Sequence, residues 1–142
     1  MREIKFRGFN RKNNVWLYGF YQQNRGAHFV VPDEFATGKE WDDYEIDPGT
    51  LGQYTGLTDK NGKRIFEGDI VECVSWNEYF SKDGKPMEPF RRKMFVDYRK
   101  GGFKMVEPMP EPMKDNEWDI ICNGDIVVIG NIHDNPELMK ED

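Results

Sequence analysis

The chain has few of the side chains that perform covalent catalysis or bind transition metals. Its 142 residues include two histidines and two cysteines, and its serines are Ser75 and Ser81. Neither serine lies in a Gly-x-Ser-x-Gly elbow, and neither His28 nor His133 has a second ligand at the spacing of a metal site. We therefore expect a protein that is not an enzyme and that holds no metal ion or cofactor.

The sequence also lacks long apolar runs and an excess of positive charge. A membrane-spanning helix would need about 18 consecutive apolar residues, and residues 1–6 enter alternating structure without a signal peptide. The net charge of −6 disfavours sequence-independent binding to a DNA duplex. We expect a cytoplasmic protein whose Cys73 and Cys122 stay reduced.

Aromatic residues, by contrast, are abundant. Four Trp, six Tyr and ten Phe make up 14% of the chain, and aromatic side chains pack best on pleated strands. Alternation of apolar and polar residues is typical of half-buried strands. The predicted strands cover residues 3–9, 15–21, 27–31, 70–76, 93–98, 103–106 and 127–132, the last of them buried. Residues 117–122 fit a short strand or a helical turn, and Asn135 before Pro136 predicts one terminal turn of helix.

Three segments fall outside this pattern. Residues 32–48 leave two interpretations open: a surface loop with Trp41 and Tyr44 folded back as a lid, or a patch for a partner. Residues 77–92 form a polar excursion. Residues 107–116 carry three prolines at alternate positions, which predicts an extended, polyproline-like connector.

The most specific turn chemistry lies between Gly52 and Cys73. Asn61-Gly62 is the dipeptide that supplies positive φ angles to tight hairpin turns. Asp59 begins a run similar to a calcium loop, but the glycine falls fourth instead of sixth, and the twelfth position is Ile70 instead of glutamate. We therefore expect a hairpin turn over residues 58–63, and not a cation site.

Three blocks of the sequence resemble the YopX family, whose members are encoded by bacteriophages and prophages: Ile4–Gly8, Gly52–Val71 and Val128–Leu138. The resemblance implies a mainly β protein with an irregular N-terminal β subdomain, here residues 1–50, and a small SH3-like β-barrel, here residues 51–142. It also implies self-association, and it brings no catalytic residue to this chain. The signature of the middle block is carried by Gly52, Tyr54, Gly56, Asn61, Gly62, Gly68 and Asp69.

The leading hypothesis for function is a non-enzymatic binding module that contacts a host or phage protein, or a second copy of itself. Small β folds and aromatic-rich loops offer surfaces for such contacts. The candidate contact residues are Trp41, Tyr44, Tyr79, Arg91 and Arg92.

Two alternatives stay open at this point. One is a small-barrel protein that binds single-stranded nucleic acid, in which basic residues supply charge and aromatic rings supply stacking. Its candidate residues are Arg91, Arg92, Lys93, Arg99, Lys100, Tyr98 and Phe103. The other is an acidic mimic of DNA that inhibits a host enzyme.

Overall fold

The computed structural model describes residues 5–33, 38–75, 90–120 and 126–140. Within them the chain forms ten strands and two short 3-10 helices. The strands are β1 (Phe6–Asn10), β2 (Val15–Asn24), β3 (Ala27–Val31), β4 (Asp47–Thr58), β5 (Arg64–Phe66), β6 (Asp69–Ser75), β7 (Phe90–Arg99), β8 (Gly102–Glu107), β9 (Asn116–Asp119) and β10 (Ile126–Asn131). The 3-10 helices are η1 (Trp41–Asp43) and η2 (Pro136–Met139).

The strands form two antiparallel sheets of five strands each. The order in the first sheet is β3-β2-β1-β4-β5, and the order in the second is β10-β6-β7-β8-β9. The predicted mainly β fold with a short C-terminal helical turn is thereby confirmed. The closed SH3-like barrel is not observed, because both sheets are open within the described residues.

The chain divides into two compact units. The first unit comprises Met1–Leu57 and Arg64–Glu67, and the second comprises Thr58–Lys63 and Gly68–Asp142. The division into domains at residues 1–50 and 51–142 stays a prediction, because compactness alone does not establish independent folding. No helix in the described part of the chain is long and apolar enough to cross a membrane.

The core of the first unit includes side chains from β3 and from the segment between β3 and β4. The β1–β2 hairpin turns through Arg11–Asn14, where Asn14 adopts a φ of 56°, a left-handed conformation that asparagine tolerates. Val30 is fully buried beside Tyr44 and Ile46, and the chain over residues 44–46 pairs with the outer edge of β3 through Val30 N–H and the Tyr44 carbonyl, 3.0 Å apart. The segment predicted as an irregular loop thus supplies two core side chains.

The core of the second unit is built from β6, β7 and β8 at the centre of its sheet. Its buried apolar side chains are Ile70, Val71, Met94, Val96, Met105, Val106 and Ile126. The prediction that residues 127–132 form a buried strand is wrong in its burial, since Val127–Ile132 are only half-buried. The reason is that β10 is an end strand with β6 as its one neighbour in the sheet.

Residues 107–116 are not the extended connector that their prolines predict. β9 pairs antiparallel with β8, with Glu107 opposite Asn116, so the chain between them reverses direction. Met113 N–H donates to the Pro110 carbonyl at 3.0 Å within this loop. The ambiguous segment at 117–122 resolves into β9 up to Asp119, whereas Cys122 lies outside the described residues.

Candidate functional site

The segment around η1 is held in place by a buried asparagine of the first unit. Asn10 is 1% exposed, and its Nδ2 donates to the carbonyls of Asp42 (3.1 Å) and Glu45 (2.7 Å). Its Oδ1 accepts from the backbone N–H of Asn13 at 2.7 Å. One side chain therefore fixes both the β1–β2 turn and the backbone on either side of Tyr44.

This anchoring separates the two aromatic residues that the sequence analysis grouped together. Tyr44 is 3% exposed and belongs to the core, so its prediction as a partner contact is wrong: the 44–46 segment pairs with β3 and directs Tyr44 inward. Trp41 is 53% exposed and packs edge-to-face against Phe29, with ring centroids 5.6 Å apart at 73°. Trp41 therefore lies at the surface, whereas Tyr44 lies in the core.

The exposed aromatic residues of β2 extend this surface. Side chains two residues apart in a strand share a face, and Tyr18 and Phe20 are 47% and 59% exposed. Phe29 lies on the same face because it is directly opposite Gln22 of β2 in the antiparallel register. We call the surface formed by Tyr18, Phe20, Phe29 and Trp41 the aromatic face.

Tyr18 and Phe20 were not among the sequence-predicted contacts. The signal that could have found them is the run of rings at positions 16, 18 and 20, which places three aromatics on one side of a strand. Tyr18 packs edge-to-face on the buried Phe66, with centroids 5.4 Å apart. The contact with Phe66 therefore restricts the orientation of the exposed Tyr18 ring, which lowers the side-chain entropy that would be lost on binding.

A polar groove of about 590 Å³ lies beside the η1 segment. Most of its charged residues are paired: Arg11 with Asp47, and Lys12 with both Asp42 and Asp43 at 3.0 Å. Hydrogen bonds from the Glu40 backbone, from Asn13 and from Lys12 hold the pKa of Asp43 well below its usual range. Hydrogen bonds to Asp42 and Asp43 in turn raise the pKa of Lys12. These pairs brace the loop and leave few free charges in the groove.

Several basic residues of the second unit contact carboxylates or aromatic rings. Arg99 contacts Asp97 (2.9 Å), Glu117 (3.2 Å) and Asp115 (3.3 Å), and hydrogen bonds to these carboxylates, that to Asp97 first, raise its pKa. Lys100 pairs with Glu117 at 2.9 Å. These contacts compete with a phosphate ligand for the same cations.

The two arginines proposed as partner contacts lie on opposite faces of β7, since they are adjacent in a strand. Arg91 is exposed and pairs with Glu72 at 2.9 Å. Arg92 is half-buried and lies over the Trp118 ring, 5.5 Å from its centroid. Arg91 is therefore the more accessible of the two, and Tyr79 falls outside the described residues.

The signature residues of the middle block occupy structural positions. Tyr54 and Asp69 are buried at 7% and 1% exposure, Gly52 and Gly68 are buried, and Gly56, Asn61 and Gly62 are exposed. Gly62 has a φ of 82°, as expected of the glycine in a tight turn. We see the signature as a description of the fold and not as a reactive site.

Asp59 is the most buried ionisable group of this turn, at 7% exposure. Its Oδ1 accepts from the N–H groups of Asn61 and Lys63, both at 2.9 Å, and its Oδ2 accepts from Val128 N–H at 3.0 Å. Burial raises the pKa of this carboxyl, but the three hydrogen bonds together outweigh burial and lower it. The carboxylate thus ties the turn to β10 within the second unit.

The described residues contain no group of three or more His, Cys, Asp or Glu side chains arranged to hold a metal ion. His28 is half-buried in β3, where Nδ1 lies 2.6 Å from the hydroxyl of Tyr21 and the two rings stack. His133 lies exposed in the turn after β10, and its N–H donates to Asn131 Oδ1 at 3.0 Å. The contacts described for both histidines therefore stabilise the local fold.

Comparison with known proteins places these features in a family. The family model described as "YopX protein" matches residues 5–140. No curated protein matches the sequence. Among solved structures, the crystal structure of protein EF1440 from Enterococcus faecalis is similar, with a TM-score of 0.51 and 24% sequence identity, over 99% of this chain and 100% of that chain. This likeness supports the fold alone.

Proposed function

Because the chain belongs to the YopX family, we propose that it is a bacteriophage or prophage protein that works as a non-enzymatic binding module. It acts in the cytoplasm of the bacterial host and docks through its aromatic face on a host or phage protein. A second copy of the chain is the alternative partner, because the resemblance to the YopX family implies self-association.

The observation that carries this proposal is the exposure of three aromatic rings on one surface of the first unit. Tyr18, Phe20 and Trp41 each leave about half of the side chain in water. With about 150–250 Å² per ring, these three side chains expose roughly 300 Å² of largely apolar surface. The largest apolar patch on a typical monomeric protein has about this size and is often functional. Aromatic residues also dominate the energetic centres of protein interfaces.

The charge of the first unit favours a protein partner over a nucleic acid. Its sequence has 8 basic and 9 acidic side chains, which gives a net charge of −1. Binding of a phosphate backbone draws most of its affinity from an excess of positive charge. An aromatic surface on a unit of nearly neutral net charge suits instead the apolar centre of a protein interface.

The test replaces an exposed ring and keeps the fold. Phe20→Ser removes the most exposed ring of the aromatic face, whereas Val15→Ser changes an exposed residue of the same strand (44% exposed) on the opposite face. The tagged proteins are incubated with lysate of the host bacterium, and the bound proteins are identified by mass spectrometry. We expect Phe20→Ser to weaken capture of the partner about 30-fold, as loss of a hot-spot residue does, and Val15→Ser to keep it.

Light scattering after size-exclusion chromatography distinguishes the two kinds of partner. A dimer that Phe20→Ser dissociates would identify a second copy as the occupant of the aromatic face. Equal capture by Phe20→Ser and the unmodified protein, together with an unchanged oligomeric state, would refute the proposed docking surface.

A further inference from the structure

We propose that Phe29, Trp41 and Glu45 form a cation-binding corner that accepts an arginine or lysine side chain of the partner protein. This inference rests on the proposed function and adds the chemistry of the partner: a basic side chain meets the aromatic face at its η1 end. The ligand chemistry is a protonated guanidinium or ammonium group.

The geometry of the corner comes from one isolated β-bridge. Phe29 and Glu45 are directly opposite each other in an antiparallel arrangement, so their side chains project from the same face with Cβ atoms about 5 Å apart. Trp41 packs edge-to-face on Phe29, with the rings inclined at 73°. Two inclined rings and a carboxylate therefore adjoin one another at the surface.

The corner is rigid on its protein side. Asn10 Nδ2 holds the Glu45 carbonyl at 2.7 Å, and the Trp41 carbonyl accepts from Tyr44 N–H at 2.9 Å. A backbone fixed at both residues lowers the entropy that would be lost on binding. The side chains of Trp41 and Glu45 nevertheless remain exposed to a ligand.

The charge around the corner selects a cation. Aromatic ring faces attract positive charge through their quadrupole, and the exposed carboxylates of Glu40, Asp42 and Glu45 flank Trp41 in the sequence. Lys12 pairs with Asp42, whereas the Glu45 carboxylate has no ion pair within residues 5–33, 38–75, 90–120 and 126–140. An anionic ligand would be repelled here, and a basic side chain would gain both contacts.

The chain already uses this kind of contact internally. The Arg7 guanidinium lies 5.0 Å from the centroid of Trp16 and 5.1 Å from that of Phe66. An arginine between two rings is thus part of the first unit's own packing. The cation-binding corner presents a comparable pair of rings at the surface, with a carboxylate added.

The experiment is a titration of the 142-residue chain at low salt, monitored by nuclear magnetic resonance of backbone amides and indole N–H groups. The probe is the blocked peptide acetyl-Gly-Arg-Gly-amide, with its neutral citrulline analogue as the matched control and the lysine peptide as a second cation. We expect the arginine peptide to shift the Trp41 indole and Glu45 amide signals. Glu45→Gln should weaken binding about two- to fivefold, and the exposed Glu137→Gln should leave it unchanged.

Each result decides the proposal. Shifts that are as large with citrulline as with arginine, or an affinity that Glu45→Gln leaves unchanged, would overturn the cation-binding corner. A lysine peptide that binds as well as the arginine peptide supports a general cation site, and a weaker one assigns the corner to guanidinium. The peptide titration does not use the partner protein. If it fails while Phe20→Ser still weakens partner capture, the cation-binding corner is refuted and the proposed docking surface is retained.

Discussion

At the residue scale, Asn10 fixes three backbone groups because its side-chain amide both donates and accepts hydrogen bonds. Its two donors satisfy backbone carbonyls at 42 and 45, and its acceptor satisfies the N–H of Asn13. No other residue type offers this combination at the same size. The accessible position of Trp41 therefore depends on a buried polar residue of a neighbouring strand.

We predict that Asn10→Asp destabilises the protein more than Asn10→Ala at pH 7. The aspartate keeps the acceptor for Asn13 N–H but sets a carboxylate against two carbonyl oxygens. Asn10→Ala should cost about 1–3 kcal/mol, the usual penalty for buried polar groups left unsatisfied. Urea denaturation of both variants and of the unmodified protein measures the order, and midpoints equal to that of the unmodified protein would show that Asn10 Nδ2 is not needed to hold the η1 segment.

Asp59 provides the second residue-scale prediction, which concerns pH. Its pKa is lowered below the ordinary 3.8 in the folded protein, so the stability it contributes is complete well above pH 3.8 and is lost as the pH falls through the lower folded value. Asp59→Asn removes an acceptor and sets an N–H₂ group near N–H donors, at a cost of about 1–3 kcal/mol at pH 7.

The measurement compares urea midpoints of Asp59→Asn and the unmodified protein at pH 7 and near pH 3. We expect the difference between the two midpoints to narrow in acid. Protonation of Asp59 weakens the hydrogen bonds that it accepts in the unmodified protein, whereas the Asp59→Asn protein has no carboxyl group at this position. Glu137→Gln, an exposed acid of the same unit, should follow the unmodified protein throughout. A difference that stays constant with pH would contradict the assigned role of the ionised Asp59.

At the element scale, the sequence predicted best the strand that breaker residues delimit, because Gly26 precedes it and Pro32 follows it. Residues 27–31 were predicted with the bounds observed for β3. β2 extends past the predicted Tyr21 to Asn24, because its polar end pairs with β3 and carries no apolar pattern. β4 runs over twelve residues although three glycines weaken its strand signal, and pairing with β1 compensates for that low propensity.

The candidate site could be predicted only in part, for a physical reason. Trp41 stood out because an aromatic residue among acids in an irregular segment is unusual. Tyr18 and Phe20 did not, since aromatic residues in a strand usually pack in a core, and which face of a sheet stays uncovered depends on the tertiary fold. The burial of Tyr44 depends on the tertiary fold in the same way, because residues 44–46 pair with β3. The local sequence gives no sign of this pairing.

Gly19 of β2 lies so close to the end of β3 that a larger residue would collide with its backbone. A Cβ at this position would overlap the Val31 carbonyl oxygen and lie 2.6 Å from the Val31 carbonyl carbon and 2.8 Å from Pro32 Cα. We predict that Gly19→Ala destabilises the protein by about 1–3 kcal/mol or more, because backbone atoms must move. Gly102→Ala, whose Cβ would meet only the Lys104 Nζ at 4.0 Å, serves as the control, and thermal melting of both compares them.

The loop between β8 and β9 depends on one guanidinium. Arg99 reaches three carboxylates, and one of them, Asp115, accepts from Met109 N–H at 3.1 Å. Arg99→Lys replaces a planar fork by a point charge and should loosen the loop by about 1 kcal/mol. Hydrogen exchange at Met109 should then become about fivefold faster, and Arg91→Lys, which alters an isolated surface pair, should leave it unchanged.

At the scale of the whole molecule, the negative charge is unevenly divided along the sequence. The first unit carries a net charge of −1, and the second, with 12 basic and 17 acidic side chains, carries −5. In the second unit several of the basic residues proposed to bind nucleic acid are paired with acids. Both properties oppose the binding of phosphate backbones.

We predict that fluorescence anisotropy with labelled oligo-thymidine detects no binding tighter than about 100 µM at about 50 mM salt. The reason is that phosphate contacts by Arg91, Arg99 and Lys100 would first have to break ion pairs within the protein. Micromolar affinity that falls steeply with added salt would contradict this expectation, and it would favour single-stranded nucleic acid as the ligand.

The hydrogen bond between Asp59 and Val128 also has a consequence for biosynthesis. The two residues are 69 positions apart, and β10 joins the sheet beside β6 after β7, β8 and β9 have been made. At about 5–20 residues per second, the ribosome needs several seconds to supply that last strand. During this interval the nascent chain holds β6 without its β10 neighbour, so the second sheet stays incomplete until β10 has been made.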